Sequence, residues 1–187
     1  MRIIAGIARG MPLVAPRGGD TRPTSDRVRE AIFSSLGDRV VGATVLDLFA
    51  GTGALGLEAA SRGARSVTFV ENAHGALKSL KQNLDAFGKG RTITCEWTVI
   101  RADVFAQIKK CAATKTKFSL LFADPPYGET AQTLLQSPEL PQLVDPSGLL
   151  VLESAKRDAL VISPPFVLAR EGVYGDTRVS ALGVRGN

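Results

Sequence analysis

From Thr44 onward the chain alternates short apolar runs with stretches of helical spacing. Residues 44–49, 66–71, 97–101, 118–123 and 148–153 predict five strands, and 54–62, 73–87, 104–112 and part of 129–144 predict the helices between them. Runs that are apolar almost throughout, rather than alternating with polar residues, belong to strands covered on both faces. The pattern therefore predicts an α/β fold with a parallel sheet between two helical layers. After Pro164-Pro165 the spacing changes, and 166–173 and 178–184 flank Gly175-Asp176 as the arms of an antiparallel hairpin that closes the sheet.

Residues 1–41 follow a different pattern and predict an extension ahead of a main domain at 42–187. Residues 2–7 and 11–14 flank Gly10 like a short hairpin. Thr24 or Ser25 then has the character of a helix cap. Asp26 falls in the first turn, Val28, Ala31, Ile32, Ser35 and Leu36 recur at helical spacing, and Gly37 ends the element.

Composition narrows the class. A chain of 187 residues with 44% hydrophobic positions can bury a substantial core. The net charge of +5 and the sequence pI near 9.5 are carried by Lys and Arg, because there is one His. Such charge favours a polyanionic partner. Cys95 and Cys111 have no second Cys or His at ligand spacing, so no metal site is expected and both read as reduced thiols. No apolar run is long enough for a signal segment or a membrane span, which predicts a cytoplasmic protein with no membrane association.

The chemistry begins where the first strand ends. It runs into Gly51-Thr52-Gly53-Ala54-Leu55-Gly56, a G-x-G-x-x-G between a strand and a helix. Glycines there let the backbone turn sharply and lie against a ligand that a Cβ would displace. Nicotinamide, flavin and S-adenosylmethionine sites share this loop. Glu71 ends the second strand, 20 residues after Gly51, where an acid can accept hydrogen bonds from ribose hydroxyls. Asp47 lies just before the loop, where it could face an ammonium group, and Asp103 after the third strand could receive an adenine amine. An acid just before the loop is a poor neighbour for a pyrophosphate, which weighs against a dinucleotide. With Ala50, Thr52, Asn72 and Val104, these residues describe one cofactor crevice.

Asp124-Pro125-Pro126-Tyr127 follows the fourth strand at the same sheet edge, next to the first strand in a doubly wound order. An exocyclic base amine is a poor nucleophile because its lone pair is delocalised into the ring. The Asp124 carboxylate and the Pro125 carbonyl can take its two hydrogens, and the prolines fix φ so that both acceptors are held in advance. Tyr127 offers a face on which a flipped or single-stranded base stacks, worth about 1 to 3 kcal/mol on comparable aromatic platforms. Methylation at a pyrimidine carbon would need a cysteine nucleophile, and neither Cys95 nor Cys111 adjoins this strand end.

With these residues in view, the chain resembles the RsmD family of bacterial small-subunit ribosomal RNA methyltransferases, which make N2-methylguanine. The resemblance covers "MRIIAGIARGMPL", "RPTSDRVREAIFSSL", "LDLFAGTGALGLEAASRGA", "VTFVE", the pair Ala102-Asp103, "DPPYG" and "YGDT". It implies a Rossmann-like, seven-stranded class I S-adenosylmethionine-dependent methyltransferase sheet, with S-adenosylmethionine as donor. Asp47, Gly51, Gly53, Glu71 and Asp103 look like its cofactor contacts, and Asp124 to Tyr127 like its amine-binding motif. The block from Arg22 to Glu30 looks like a cover over the reacting ends. The implied substrate is a guanine in 16S ribosomal RNA, within an assembling or assembled small subunit, and the enzyme is read as a monomer.

Arg2, Arg9 and Arg17 on the N-terminal hairpin, with Arg22, Thr24 and Arg27 in the block that follows, form the expected RNA-binding set. Such arginines contact phosphates and give salt-sensitive affinity without sequence preference. The stretch from Lys78 to Lys117 is also basic, with nine Lys or Arg against three acids, but its lysines fall on helix faces that solvent would cover. Three other readings stay open: a DNA amino-methyltransferase acting on adenine N6 or cytosine N4, a nicotinamide-dependent oxidoreductase, and a non-catalytic RNA-binding or assembly protein.

Overall fold

The computed structural model describes residues 1–16, 25–90, 92–126 and 128–185. Among them a seven-stranded sheet runs in the order β3-β2-β1-β4-β5-β7-β6. Its parallel part is β1 (Thr44–Leu48), β2 (Ser66–Glu71), β3 (Glu96–Arg101), β4 (Phe118–Ala123) and β5 (Val144–Ala155). β6 (Phe166–Tyr174) and β7 (Thr177–Val184) form the antiparallel hairpin, and β7 pairs antiparallel with β5. Gly175 supplies the positive φ of 63° that their tight turn requires.

The helices are α1 (Asp26–Leu36), α2 (Ala54–Ser61), α3 (His74–Gly88), α4 (Val104–Ala113) and α5 (Thr130–Leu135). Their starts obey local chemistry. The Ser25 hydroxyl accepts the Val28 N–H at 3.2 Å, and the Asp103 carboxylate accepts the Ala106 N–H at 3.0 Å. Alternation along the strands divides the core in two. Val45, Val67, Phe69, Leu120, Phe122 and Val151 pack with α1, α2 and α3, whereas Leu46, Leu48, Val70, Leu121, Leu150 and Leu152 pack with α4 and α5.

Two boundaries moved. β5 begins at Val144 rather than 148, because 144 pairs with Phe118 before a register shift brings Leu149 opposite Leu120. The segment expected as helix up to 144 instead holds the short α5 and a 3-10 turn over Leu140–Leu143.

The expected N-terminal hairpin is present in a short form: Arg2 bridges Pro12 antiparallel, Ile3 donates to the Met11 carbonyl at 2.9 Å, Leu13 to the Met1 carbonyl at 3.1 Å and Gly10 to the Ile3 carbonyl at 2.9 Å. The same arm also binds α2. Glu58 accepts the Ile4 and Ala5 N–H groups at 2.7 and 3.0 Å, the Ser61 hydroxyl accepts the Ala8 N–H at 3.0 Å, and the Ser61 carbonyl accepts the Ile7 N–H at 2.8 Å. Approach is so close that a Cβ on Gly6, whose φ is +80°, would lie 1.8 Å from the Ser61 carbonyl oxygen. Ile3, Ala8, Met11 and Leu13 bury their side chains in the same cluster as the sheet residues Val45 and Phe122. Hydrogen bonds to the orphan amides of the arm and this burial together fix residues 1–14 against the sheet domain.

Candidate active site

The carboxyl ends of β1, β2 and β4 meet where the strand order reverses direction, and the glycine loop leaves β1 there. Ala50 donates to the Val70 carbonyl at 3.0 Å and Gly53 to the Ala50 carbonyl at 2.7 Å, closing a tight turn in front of α2. Phe49, Gly51 and Gly53 all have positive φ, at 57°, 56° and 79°. Phe49 is held in a conformation that L residues avoid, which sets the loop's path from the strand. Gly51 and Gly56 serve different needs. A Cβ on Gly56 would stand 2.3 Å from the Phe69 ring, so that position lets α2 lie on β2. At Gly51 the nearest atom to a Cβ is 3.9 Å away, so its surroundings are open toward the crevice.

The acids here have structural roles that their sequence positions did not announce. Asp47, 1% exposed, accepts the Gly56 N–H at 2.9 Å and so ties the strand to the first turn of α2. Glu71 accepts the Gly51 N–H with one oxygen and the Asn72 and Ala73 N–H groups with the other, each at 2.8 Å. Burial pushes the Asp47 carboxyl well above the usual carboxylate range. The Gly56 hydrogen bond opposes this, and the Asp124 and Glu71 charges add to it. A site where neighbouring carboxylates face a buried Asp47 gains from a cation. The sulfonium and ammonium groups of S-adenosylmethionine are cations of suitable size, so the residues suit that cofactor. Among the described residues no three His, Cys, Asp or Glu side chains converge as they would around a metal ion.

Ala50 and Val104 are buried, Gly51 and Thr52 are half-buried, and Asn72 and Asp103 stand exposed at the rim. At the exit of β4, Asp124 is half-buried, Pro125 buried and Pro126 exposed. Tyr127 lies outside the described residues, as do Arg17, Arg22 and Thr24 of the RNA set. Arg2, Arg9 and Arg27 are exposed, and Arg2 stands 3.6 Å from Asp26. Sequence reading passed over Asn83, which bonds Val14 through both its amide groups and donates to the Thr52 carbonyl at 2.9 Å, joining the arm to the glycine loop. It also passed over Arg29, fully buried, whose guanidinium holds the Arg2 carbonyl and the Asp26 carboxylate. A polar residue on the buried face of a helical pattern was the available signal for both. Cys95 and Cys111 are buried, and burial with the adjacent Glu96 charge pushes the Cys95 thiol up to about 11, far from thiolate chemistry at neutral pH.

Comparison with known proteins decides the family. The model described as "Conserved hypothetical protein 95" matches residues 1–183. This chain belongs to the RsmD family. It is 35% identical to Ribosomal RNA small subunit methyltransferase D of Escherichia coli strain K12 over 94% of this chain and 85% of that protein. It is also 36% identical to the putative rRNA methyltransferase YlbH of Bacillus subtilis, with both chains fully covered. A solved structure of a hypothetical protein from Thermus thermophilus superposes with a TM-score of 0.80 at 32% identity, covering 98% of this chain and 99% of that one. The fold of this RsmD-family chain is the class I S-adenosylmethionine-dependent methyltransferase fold.

Proposed function

We propose that this RsmD-family protein transfers a methyl group from S-adenosylmethionine to the exocyclic N2 amine of a guanine in 16S ribosomal RNA, within an assembling or assembled small subunit. The observation that carries the reading is the exit of β4. Leu48 of β1 pairs with Ala123 of β4, so Asp124-Pro125-Pro126 stands beside the turn that opens the glycine loop.

Gly51, Gly53, Glu71, Asn72, Asp103 and Val104 would hold the nucleoside half of the cofactor, and Asp47 with Ala50 and Thr52 its amino-acid half. When bound, S-adenosylmethionine supplies an electrophilic methyl carbon, so that a nitrogen–carbon bond forms as the carbon–sulfur bond breaks and its electron pair stays on sulfur. Asp124 and the Pro125 carbonyl orient the amine by its two hydrogens, and Asp124 receives the proton that the nitrogen loses. Positioning of this kind replaces the entropy cost of a two-body encounter and is the main contribution available without a covalent intermediate. Tyr127 stacks the base, and Arg2, Arg9, Arg17, Arg22, Thr24 and Arg27 contact the RNA backbone. The relatives named for small-subunit ribosomal RNA support the substrate class.

Transfer of a labelled methyl group to small subunits, naked ribosomal RNA and duplex DNA tests the proposal, with product nucleosides resolved by mass spectrometry. The expected product is N2-methylguanine in RNA. Faster labelling of DNA, as N6-methyladenine or N4-methylcytosine, would overturn it.

A further inference from the structure

β5 carries an acid that the reaction above leaves without a task. Glu153 is 3% exposed and follows Leu150, Val151 and Leu152 on a strand that is otherwise apolar at this depth. Burial of a carboxylate is costly unless it is given hydrogen-bonding or charged partners, so its place is informative. Glu58, also buried, is a peg for the N-terminal arm, holding Ile4, Ala5 and Arg62. Glu153 lies on β5, one residue past the pairing of Leu152 with Ala123 at the exit of β4.

Register places it. Ala123 pairs with Leu152, so Glu153 comes level with Asp124, the residue just past the end of the adjacent strand. Glu153 has the parity of Val151, and Asp124 that of Leu120 and Phe122. Val151, Leu120 and Phe122 share one core cluster, so both acids face the same side of the sheet. Asp47 and Glu71 share parity with Val45 and Phe69 of that cluster. Across β2-β1-β4-β5 these four acids share one face: Glu71, Asp124 and Glu153 stand level at the carboxyl ends, and Asp47 lies two residues deeper, paired with Phe69 and Phe122. Burial raises the Asp47 carboxyl most, and the charges of Asp124 and Glu71 on the strands to either side add to it.

This face also orders the reactants. With the methyl donor over β1 and β2, the accepting amine sits at Asp124 on β4, and the rest of the base's Watson–Crick edge extends over β5. In guanine the carbon bearing the amine is flanked by N3, which carries a lone pair, and by N1, which carries a hydrogen and lies on the Watson–Crick edge that this arrangement turns toward β5. In adenine and cytosine the ring nitrogen beside the amine carries a lone pair. We infer that Glu153 is a specificity-determining residue: its carboxylate accepts the N1–H of guanine alongside Asp124 and repels the lone pair that adenine or cytosine would bring to the same place. The inference rests on the proposed amine methylation, and it converts the amine selectivity of Asp124-Pro125 into selectivity for guanine. A site built to pair a particular hydrogen rejects a base that lacks it, because the acceptor then meets no donor from that base.

The test uses Glu153→Gln and Glu153→Ala with small subunits that lack the modification. Product nucleosides are resolved by mass spectrometry, S-adenosylhomocysteine affinity is measured by calorimetry, and unfolding is followed in urea. Both variants are expected to keep cofactor-product affinity within about twofold. Glu153→Ala should lose about 10- to 100-fold in kcat/KM for guanine, the range for one good base-edge contact, with methylated adenine or cytosine rising relative to guanine. Glu153→Gln keeps an acceptor oxygen and should lose less. Two results overturn the inference: guanine methylation at the wild-type rate and product ratio in both variants, or loss of S-adenosylhomocysteine binding together with activity in Glu153→Gln, which would make the residue a support for the cofactor side. A wild-type enzyme that makes no N2-methylguanine would overturn the proposed function instead.

Discussion

The two sides of the crevice use the same residue type in opposite ways. At β1 and β2, Asp47 and Glu71 are bound to main-chain amides of the loop and helix that they shape, at Gly56, Gly51, Asn72 and Ala73. At β4, Asp124 is followed by Pro125 and Pro126, which have no N–H to offer its oxygens. The cofactor side thus organises itself from its own chain, whereas the base side is built so that the backbone following its acid offers no donors. Acceptors meant for a substrate's hydrogens are better placed beside prolines than at the foot of a helix.

The largest effect that separates the two sides is expected from Asp124→Ala. Methyl transfer should fall by about 10³-fold or more, since both orientation and proton acceptance are lost, while calorimetry shows S-adenosylhomocysteine binding retained. Full activity in that variant would remove the distinction between the sides. Gly6→Ala attacks the support of the cofactor side from outside the crevice. Its Cβ would overlap the Ser61 carbonyl at a φ of +80°, so the fold should lose about 2 to 4 kcal/mol, read from the urea midpoint. An unchanged midpoint would mean that the arm contributes nothing to the domain it binds.

A smaller effect concerns pH. The folded-state pKa of Asp47 lies above the ordinary value of 3.8, so the native chain keeps a proton that the unfolded chain has lost. That contribution to stability is complete below about 3.8 and is lost as pH rises through the folded value. Asp47→Asn retains an oxygen for the Gly56 N–H and removes the titration, so its stability relative to wild type should increase with rising pH in urea titrations of the ligand-free protein. A constant difference across pH would place the buried charge elsewhere. The smallest effect is at the surface. Arg9→Ala should reduce the slope of log affinity against log salt for RNA by about 0.7 to 0.9, one phosphate contact, with no change in base preference. Arg2→Ala should do less, because Arg2 is already 3.6 Å from Asp26.

Much of the fold was legible because its signals are local. Each parallel strand is an apolar run, and β1, β2, β3 and β4 lie within a residue of their expected bounds. The glycine loop and Asp124-Pro125-Pro126 were legible as sites because the chemistry is carried by adjacent residues. Three features were not. The N-terminal hairpin itself was expected, but its docking on α2 was not, because Glu58 and Ser61, which hold the Ile4, Ala5 and Ala8 amides, lie more than 50 residues away. Asp47 was read as facing a ligand's amino group, and its bond to Gly56 appears once α2 packs on the strand. Glu153 was read as the end of an apolar strand, since nothing in "LLVLES" says which strand lies beside it.

The sequence by itself therefore determined the elements, their parallel arrangement and the two local motifs, because periodicity, proline and glycine act over a few residues. Only the tertiary structure decided how the acids are used. Strand order and register brought Glu71, Asp47, Asp124 and Glu153 onto one face at the carboxyl ends of the strands, and close packing between α2 and the N-terminal arm chose the partners of Glu58 and Ser61. Hydrogen bonding and electrostatics depend on distances between residues remote in the chain, and those distances exist only after the sheet has formed.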